Sequence, residues 1–380
     1  MIKILLDPQI FIAQKFGGIS RSYTEIYDQL EQNEEVEVNC PIFHTENIHF
    51  KEKMLSQNSF QERNRFLIKY HKLFRNYAPK RLNKRTLNTV KEKLKKEPVD
   101  VFIPTYYDPY FLDQLGDIPF VLTVYDMIHE LFPQYFGGDL FVAPNKKLLM
   151  EKATKIIAIS NSTKNDILKI YPHINPDKIE VVYIAHALIP KTDVQVELPE
   201  YYILFIGNRS LYKNFNFFIE AVTPLLKKSP ELYIMCAGGN AFDEQELQLL
   251  EKLQIANQVI QRNFEDPELG AYYKNAKCFV FPSQYEGFGI PVLEAMACGC
   301  PVVLAHHSSL PEVAGEAGIY FNLNDAKDLQ AKIALLLEDE TERQSYVSKG
   351  LERSKLFNWN KTTLACLEVY KKAISSKKNS

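Results

Sequence analysis

Residues 281–303, FPSQYEGFGIPVLEAMACGCPVV, decide the fold of this chain. An apolar run, Cys278-Phe279-Val280-Phe281, leads into a loop holding Glu286, Gly287 and Gly289. Pro301-Val302-Val303-Leu304 follows as the next buried strand. Between them Pro291 opens a helix that ends near Gly299. Proline suits the first helical position because its missing N–H would go unpaired there anyway, and glycine suits the far end. The loop glycines let backbone N–H groups come close to a ligand at the positive end of the helix, where an anion is stabilised. Glu286 and Glu294 bracket this turn eight positions apart. An ionised carboxylate only accepts hydrogen bonds, so it suits hydroxyls and repels phosphate. A helix start that holds phosphate between two such acceptors describes a sugar nucleotide. Acids are also ordinary residues of a first helical turn, and the pair by itself favours that plainer role.

The whole string tips the balance. Glu286-Gly-Phe-Gly-Ile-Pro-Val-Leu-Glu294, continued without a gap by Ala-Met-Ala-Cys-Gly-Cys-Pro-Val-Val, resembles the Glu-x7-Glu signature of retaining glycosyltransferase family 4. The resemblance implies an α/β chain of the GT-B fold, two Rossmann-like doubly wound parallel-sheet domains facing across a cleft. It implies that Glu294 binds the ribose hydroxyls and that Glu286 sits beside the donor sugar. The amides of Gly287, Phe288, Gly289 and Ile290 would approach the sugar hydroxyls and phosphates. The likeness is densest over 200–321, and its nearest sense is that of bacterial polysaccharide and O-antigen mannosyltransferases.

A chain of 380 residues is long for one domain and comfortable for two. Its 46% apolar content and net charge of −2 describe an ordinary globular protein. The longest apolar runs fall short of the roughly 20 residues that a spanning helix needs. Met1 to Asp7 holds too short an apolar core for a signal peptide and reads as a first strand. The chain is therefore expected in the cytoplasm. None of Cys40, Cys236, Cys278, Cys298, Cys300 and Cys366 shows zinc-ligand spacing, and a reducing compartment fits them.

The small net charge hides an asymmetry, because residues 51–97 carry fifteen Lys or Arg against four Glu. Phe66, Leu67, Tyr70, Leu73, Phe74 and Tyr77 recur there at helical spacing beside Arg63, Lys69, Lys72 and Arg75. Two readings stand together: a helix packed on its own domain, and a helix drawn to anionic lipid on the inner face of the cell membrane. No nucleic-acid-binding module accompanies the charge.

Lys3 to Asp7, Val36 to Cys40, Val99 to Ile103, Pro119 to Val124, Lys155 to Ile159 and Ile179 to Tyr183 read as short strands, most of them separated by helical patterns. Such alternation predicts a parallel sheet covered on both faces, in a first domain over 1–190. Ser20 is expected to cap the helix after Gly17-Gly18, and the run Ser160-Asn-Ser162 the helix through Ile167 and Leu168. A glycine pair is more often just a turn, but the family likeness implies that Gly17 and Gly18 line the donor diphosphate. At the end of the fourth strand the family often has His-Asp, whereas this chain has Tyr125-Asp126 with His129 further on. Asp126 becomes the candidate for contacting the acceptor hydroxyl.

The stretch from His186 to Pro199 reads as a linker to a second domain over 191–356, and 357–380 as a last helix crossing back to the first. Arg209 and Lys213 flank a strand-to-helix turn, the place where such a half-domain receives phosphate. Two cations there are usually surface residues, but the resemblance makes them the diphosphate grip, so that Arg209→Ala is expected to cost turnover more than folding. The implied catalytic set is Glu286, Asp126, Arg209 and Lys213. The resemblance further implies front-face substitution, in which the leaving diphosphate accepts the acceptor's proton. No Asp-x-Asp metal motif stands at a strand end, so neither metal nor cofactor is expected beyond a nucleotide-sugar donor, GDP-mannose first. The acceptor would be a glycan or a lipid-linked glycan. The other reading is an inactive sugar-nucleotide-binding or membrane-scaffold protein of the same fold.

Overall fold

In the computed structural model the chain forms two units, one of Met1–Ile184 with Trp359–Ser380 and one of Ala185–Asn358. Residues 1–54, 65–66, 69, 73, 79–137, 139–188, 196–209 and 211–378 are described.

In the first unit β1 (Ile2–Leu6), β2 (Val36–Asn39) and β3 (Val101–Ile103) pair in parallel in the order β2-β1-β3. β4 (Val121–Val124), β5 (Lys155–Ala158) and β6 (Ile179–Val181) pair in parallel in the order β4-β5-β6. A parallel bridge between Phe102 and Phe120 joins the two sets into one succession. Short β-branched and aromatic runs suit strands whose two faces are both covered. Leu5, Phe102, Phe111, Phe120, Leu122 and Ile156 are buried in one cluster.

The helices α1 (Gly18–Leu30), α2 (Pro79–Lys96), α3 (Val142–Lys152) and α4 (Asn161–Ile170) belong to this unit. Ser160 caps α4 as expected, its side chain accepting from the Thr163 N–H at 3.0 Å. Ser20 does not cap α1. That helix starts at Gly18 with Gly17 as its cap residue, and the Ser20 hydroxyl donates back to the Gly17 carbonyl at 3.0 Å. A serine inside the first turn finds an acceptor behind it, so its oxygen is not offered to the N–H groups ahead.

The basic segment divides at α2. Leu82, Thr86, Val90 and Leu94 point inward at helical spacing and are buried. Lys80, Arg81, Lys84, Arg85, Lys95 and Lys96 are exposed. Of the upstream stripe, Leu67, Tyr70, Phe74 and Tyr77, with Arg63, Lys72 and Arg75, lie outside the described residues, while Phe66, Lys69 and Leu73 are exposed. Among the described residues no helix is long and apolar enough to cross a membrane.

Asp7 stands at the end of β1, where the chain order of the sheet diverges to β2 on one side and β3 on the other. It is fully buried and accepts from the Tyr110 hydroxyl at 2.7 Å and from the backbone N–H groups of Thr105 and Gln9 at 3.3 Å. Burial outweighs these bonds and pushes the carboxyl up to about 7. The folded state therefore binds a proton that the unfolded state has released. Stability contributed by this group is complete below the unfolded value, near 3.8, and is lost as pH rises toward 7. Between about pH 5 and pH 8 we expect urea unfolding to report a fall of about 2.5 kcal/mol from this residue. Asp7→Asn keeps the acceptor for Tyr110 and should remove that slope. An unchanged slope would show that Asp7 is ionised in the fold.

The second unit is one parallel sheet, in the order β12-β11-β10-β7-β8-β9. Its strands are β7 (Tyr202–Ile206), β8 (Tyr233–Ala237), β9 (Val259–Arg262), β10 (Cys278–Phe281), β11 (Val302–Ala305) and β12 (Gly318–Phe321). The helices are α5 (Phe215–Lys228), α6 (Glu244–Leu253), α7 (Asp266–Asn275), α8 (Ile290–Ala297), α9 (Leu310–Ala314), α10 (Ala326–Glu338) and α11 (Glu340–Ser354). From β7 the chain winds one way to β9, then crosses to β10 and winds the other way. The carboxyl ends of β7 and β10 thus flank a topological switch point, where open α/β sheets bind ligands.

The last helix, α12 (Trp359–Lys378), belongs to the first unit. Thr362, Thr363, Cys366, Tyr370 and Ala373 are buried along one side of it. The hydroxyls of Tyr27 and Tyr370 meet at 3.2 Å, and Lys372 pairs with Glu180 at 2.9 Å.

Candidate active site

The turns after β7 and β10 meet at the switch point of the second unit. The Gln284 N–H donates to the Tyr212 carbonyl at 2.7 Å, tying one turn to the other. Lys213 donates from Nζ to Glu286 Oε1 at 2.6 Å, with both side chains mostly covered. The same ammonium lies 5.0 Å from the centre of the Phe281 ring and 5.1 Å from that of Tyr212. These rings shield the pair on their side, which strengthens its field over that of an exposed pair.

Glu286 is followed by the glycine turn and by α8. Gly289 caps that helix in a left-handed conformation, φ 97°, with Pro291 in its first turn. The angle is what demands glycine, and a Cβ there would also come within 2.9 Å of Leu310 Cδ2. Glu294 sits on α8 with 6% of its surface exposed and accepts from the Tyr273 hydroxyl at 3.2 Å. Burial, and then the charge of Glu294, push the Tyr273 phenol far above its ordinary value, so it remains a donor. Glu286, Gly287, Phe288, Gly289, Ile290, Glu294 and Lys213 thus belong to one sheet edge.

Arg209 lies in the same turn but turns inward. Its Nε and Nη2 reach Glu246 at 2.8 and 3.1 Å. Nη1 donates to the Gly238 carbonyl at 3.1 Å, and Nη2 also reaches the carbonyls of Asn240 and Ala241 at 3.1 and 3.0 Å. The Phe242 ring covers it at 4.7 Å, and its side chain is 3% exposed. Gly239 has no room for a Cβ, which would meet the Gly207 carbonyl oxygen first and then stand 2.9 Å from Arg209 Nη1. The diphosphate contact expected of Arg209 remains an expectation, and the bonds described give its guanidinium to Glu246 and three backbone carbonyls. Lys213 is the cation beside Glu286, and Arg209 staples the turn that presents it. Asp243-x-x-Glu246 is legible in the sequence as a capping box, and both its bonds form. The second task of Glu246, on Arg209, leaves no local signal.

Gly17, Gly18 and Asp126 belong to the first unit. Gly17 and Gly18 begin α1. Asp126 accepts from the Ile128 N–H at 3.1 Å, and its carbonyl accepts from Lys146 at 2.9 Å. Lys146 is wholly buried and pairs with Glu130 at 2.9 Å. Tyr125 is buried edge-on to Tyr23, with ring centres 6.0 Å apart. His129 packs 4.3 Å from the Phe136 ring, and burial with the nearby Lys146 charge lowers its pKa. Among the described residues no group of three His, Cys, Asp or Glu could hold a metal ion.

Residues 16–185 match the model of Glycosyltransferase Family 4, and residues 191–353 that of Glycosyl transferases group 1. The chain is similar to O-antigen chain mannosyltransferase B of Escherichia coli, 29% identical over 70% of this chain and 73% of the relative. It is also similar to the serotype-specific mannosyltransferase WbdA of Escherichia coli, 30% identical over 65% of this chain and 33% of the longer relative. Among solved structures, sucrose-phosphate synthase of Thermosynechococcus elongatus aligns with 99% of this chain and 100% of its own, at a TM-score of 0.72 and 18% identity. That likeness speaks for the fold, and the fold is GT-B.

Proposed function

This chain is a glycosyltransferase of family 4, and from that premise we propose that it transfers mannose from GDP-mannose, with retention, to a hydroxyl of a glycan or lipid-linked glycan in cell-surface polysaccharide synthesis. The observation that carries this reading is the set at the β7/β10 switch point: Lys213 bonded to Glu286, a glycine turn opening α8, and Glu294 on that helix. Glu294 accepts from the ribose hydroxyls. Glu286 accepts from the sugar, while Lys213 faces the charge that grows on the departing diphosphate. A fixed cation there favours the transition state over the ground state. The leaving diphosphate takes the acceptor's proton, so no side-chain nucleophile is required and a buried Tyr125 is compatible with turnover. Asp126 would contact the acceptor. Likeness to O-antigen mannosyltransferases supports the choice of sugar.

A panel of nucleotide sugars tested by thermal shift checks the donor, since a ligand bound only by the native state raises the midpoint. GDP-mannose should give the largest rise, and Glu294→Ala should abolish it. A rise with uridine or thymidine donors only would overturn the choice of GDP-mannose. Full activity after EDTA is expected, and loss restored by Mn²⁺ would contradict metal independence.

We also propose that the exposed cations of α2, with Phe66 and Leu73 before them, rest on anionic lipid at the inner face of the membrane. Each such cation near the surface contributes about 1 kcal/mol. Flotation with phosphatidylglycerol vesicles but not with phosphatidylcholine vesicles is expected. Neutralising Lys80, Arg81, Lys84 and Arg85 should end it. Equal recovery from both vesicles would contradict the idea.

A further inference from the structure

Lys146 carries a charge wholly inside the first unit. From α3 its Nζ donates to the Asp126 carbonyl and to Glu130 Oε2, both at 2.9 Å, and it lies 3.8 Å from Asp126 Oδ1. The Tyr107 ring stands 5.3 Å from the same ammonium, and the Tyr107 hydroxyl accepts from the Tyr125 N–H at 3.4 Å. The dipeptide Tyr125-Asp126, just beyond β4, is therefore held at both ends. A phenol takes its first N–H and an ammonium its last carbonyl. The Asp126 side chain folds back on its own turn, Oδ1 accepting from the Ile128 N–H at 3.1 Å. Its Oδ2 takes no bond among the described residues, and the side chain is 34% exposed.

Stability alone does not account for this grip. Taking an ammonium and a carboxylate out of water costs about as much as their attraction returns, and apolar residues of like volume often serve a fold as well. The pair is also incomplete, since Glu130 Oε1 is buried without a hydrogen-bond partner among the described residues. What an apolar residue cannot supply is a donor aimed at the Asp126 carbonyl. We infer that Lys146 is the positioning residue of the acceptor side: it fixes the peptide that follows Asp126, draws Oδ1 inward and leaves Oδ2 for an acceptor hydroxyl. Glu130, on the short helix Ile128–Leu131, holds the ammonium in its turn, so α3, that helix and the Asp126 loop are tied through one nitrogen. The inference rests on the proposed role of Asp126 as the acceptor contact.

The test compares wild type, Lys146→Met and the double variant Lys146→Met/Glu130→Gln, with GDP-mannose as donor and methyl α-D-mannopyranoside as acceptor. Lys146→Met alone strands Glu130 and should lower the thermal midpoint. The double variant removes both charges and should recover most of that loss. In both variants kcat/KM for the mannoside should fall about 10- to 100-fold, as a misplaced group commonly costs. Affinity for GDP should change less than about twofold, since the proposed nucleotide site belongs to the second unit. The Ile128 amide, which reports the turn of Asp126, should exchange with deuterium about tenfold faster. A double variant that regains midpoint and acceptor kinetics together would overturn the inference, and so would wild-type exchange at Ile128. A wild type that transfers nothing to the mannoside would instead defeat the acceptor reading, and the exchange comparison would still decide the grip.

Discussion

Lys213→Ala is expected to lower kcat by about 10²- to 10³-fold, the cost commonly seen when one preorganised stabiliser of a developing negative charge is removed. The ammonium sits between the carboxylate of Glu286 and two aromatic rings, so it is already oriented before a ligand arrives. It therefore need not reorganise as the glycosidic bond breaks. Nucleotide affinity should fall less than turnover if, as proposed, Glu294 holds the ribose and the demand on Lys213 peaks when the bond is nearly broken. Folding should change little. Lys213 makes an ion pair and is 18% exposed, whereas Arg209 is 3% exposed and serves three backbone carbonyls as well, so the loss of Lys213 strands fewer groups. Release of nucleoside diphosphate under single-turnover conditions measures the step directly. A variant with kcat within twofold of wild type would remove Lys213 from the chemistry.

Arg209→Ala destabilises the second unit by about 3–5 kcal/mol, the usual cost of breaking a buried, hydrogen-bonded ion pair from one side. The guanidinium serves Glu246 and three backbone carbonyls, those of Gly238, Asn240 and Ala241. Removing it takes a donor from each of these carbonyls, of which Gly238 keeps the longer bond from Gln261 at 3.3 Å, and leaves a mostly covered carboxylate without its cation. Glu246 keeps its bond to the Asp243 N–H and its place in the first turn of α6, which moderates the loss toward the lower figure. Urea unfolding measures it, and a double-mutant cycle with Glu246→Gln isolates the pair. A loss below about 1 kcal/mol would mean that the guanidinium is free to leave its socket. Turnover should fall as well, since the turn carrying Lys213 loses its anchor. The sequence suggests the other order, in which Arg209 matters to turnover before folding, and the two measurements together decide between them.

The contrast between these two cations shows what a sequence can carry. The β-branched runs that became β7, β10 and β11 are legible because a strand buried on both faces needs no partner information to be recognised. The string from Glu286 to Glu294 is legible because its glycines, proline and acids lie within one turn and one helix. Arg209 looks like Lys213 at this level, since both flank the same strand-to-helix turn. What separates them is Glu246, 37 residues on, together with a glycine that admits the guanidinium. Tertiary partners at such distances leave no periodicity. The same holds for Asp7 just after β1 and Tyr110 in the turn that follows β3, and for Ser309, whose hydroxyl donates to the Glu286 carbonyl 23 residues before it. Ser20 fails for a local reason. A serine near a helix start can accept from the turn ahead or donate to the turn behind, and its spacing from the glycines does not choose.

The placement of α12 bears on how the protein is made. The second unit is continuous in sequence, whereas the first takes its last helix from residues 359–378. At roughly 5–20 residues per second, the ribosome needs on the order of 10–35 seconds to pass through 185–358. Throughout that interval the nascent first unit presents Tyr27 and its neighbours without the Tyr370 face that covers them. The stretch synthesised first is thus the last to mature, and it waits with an apolar side that a holdase can recognise. Completion of the first unit is timed by translation of the second.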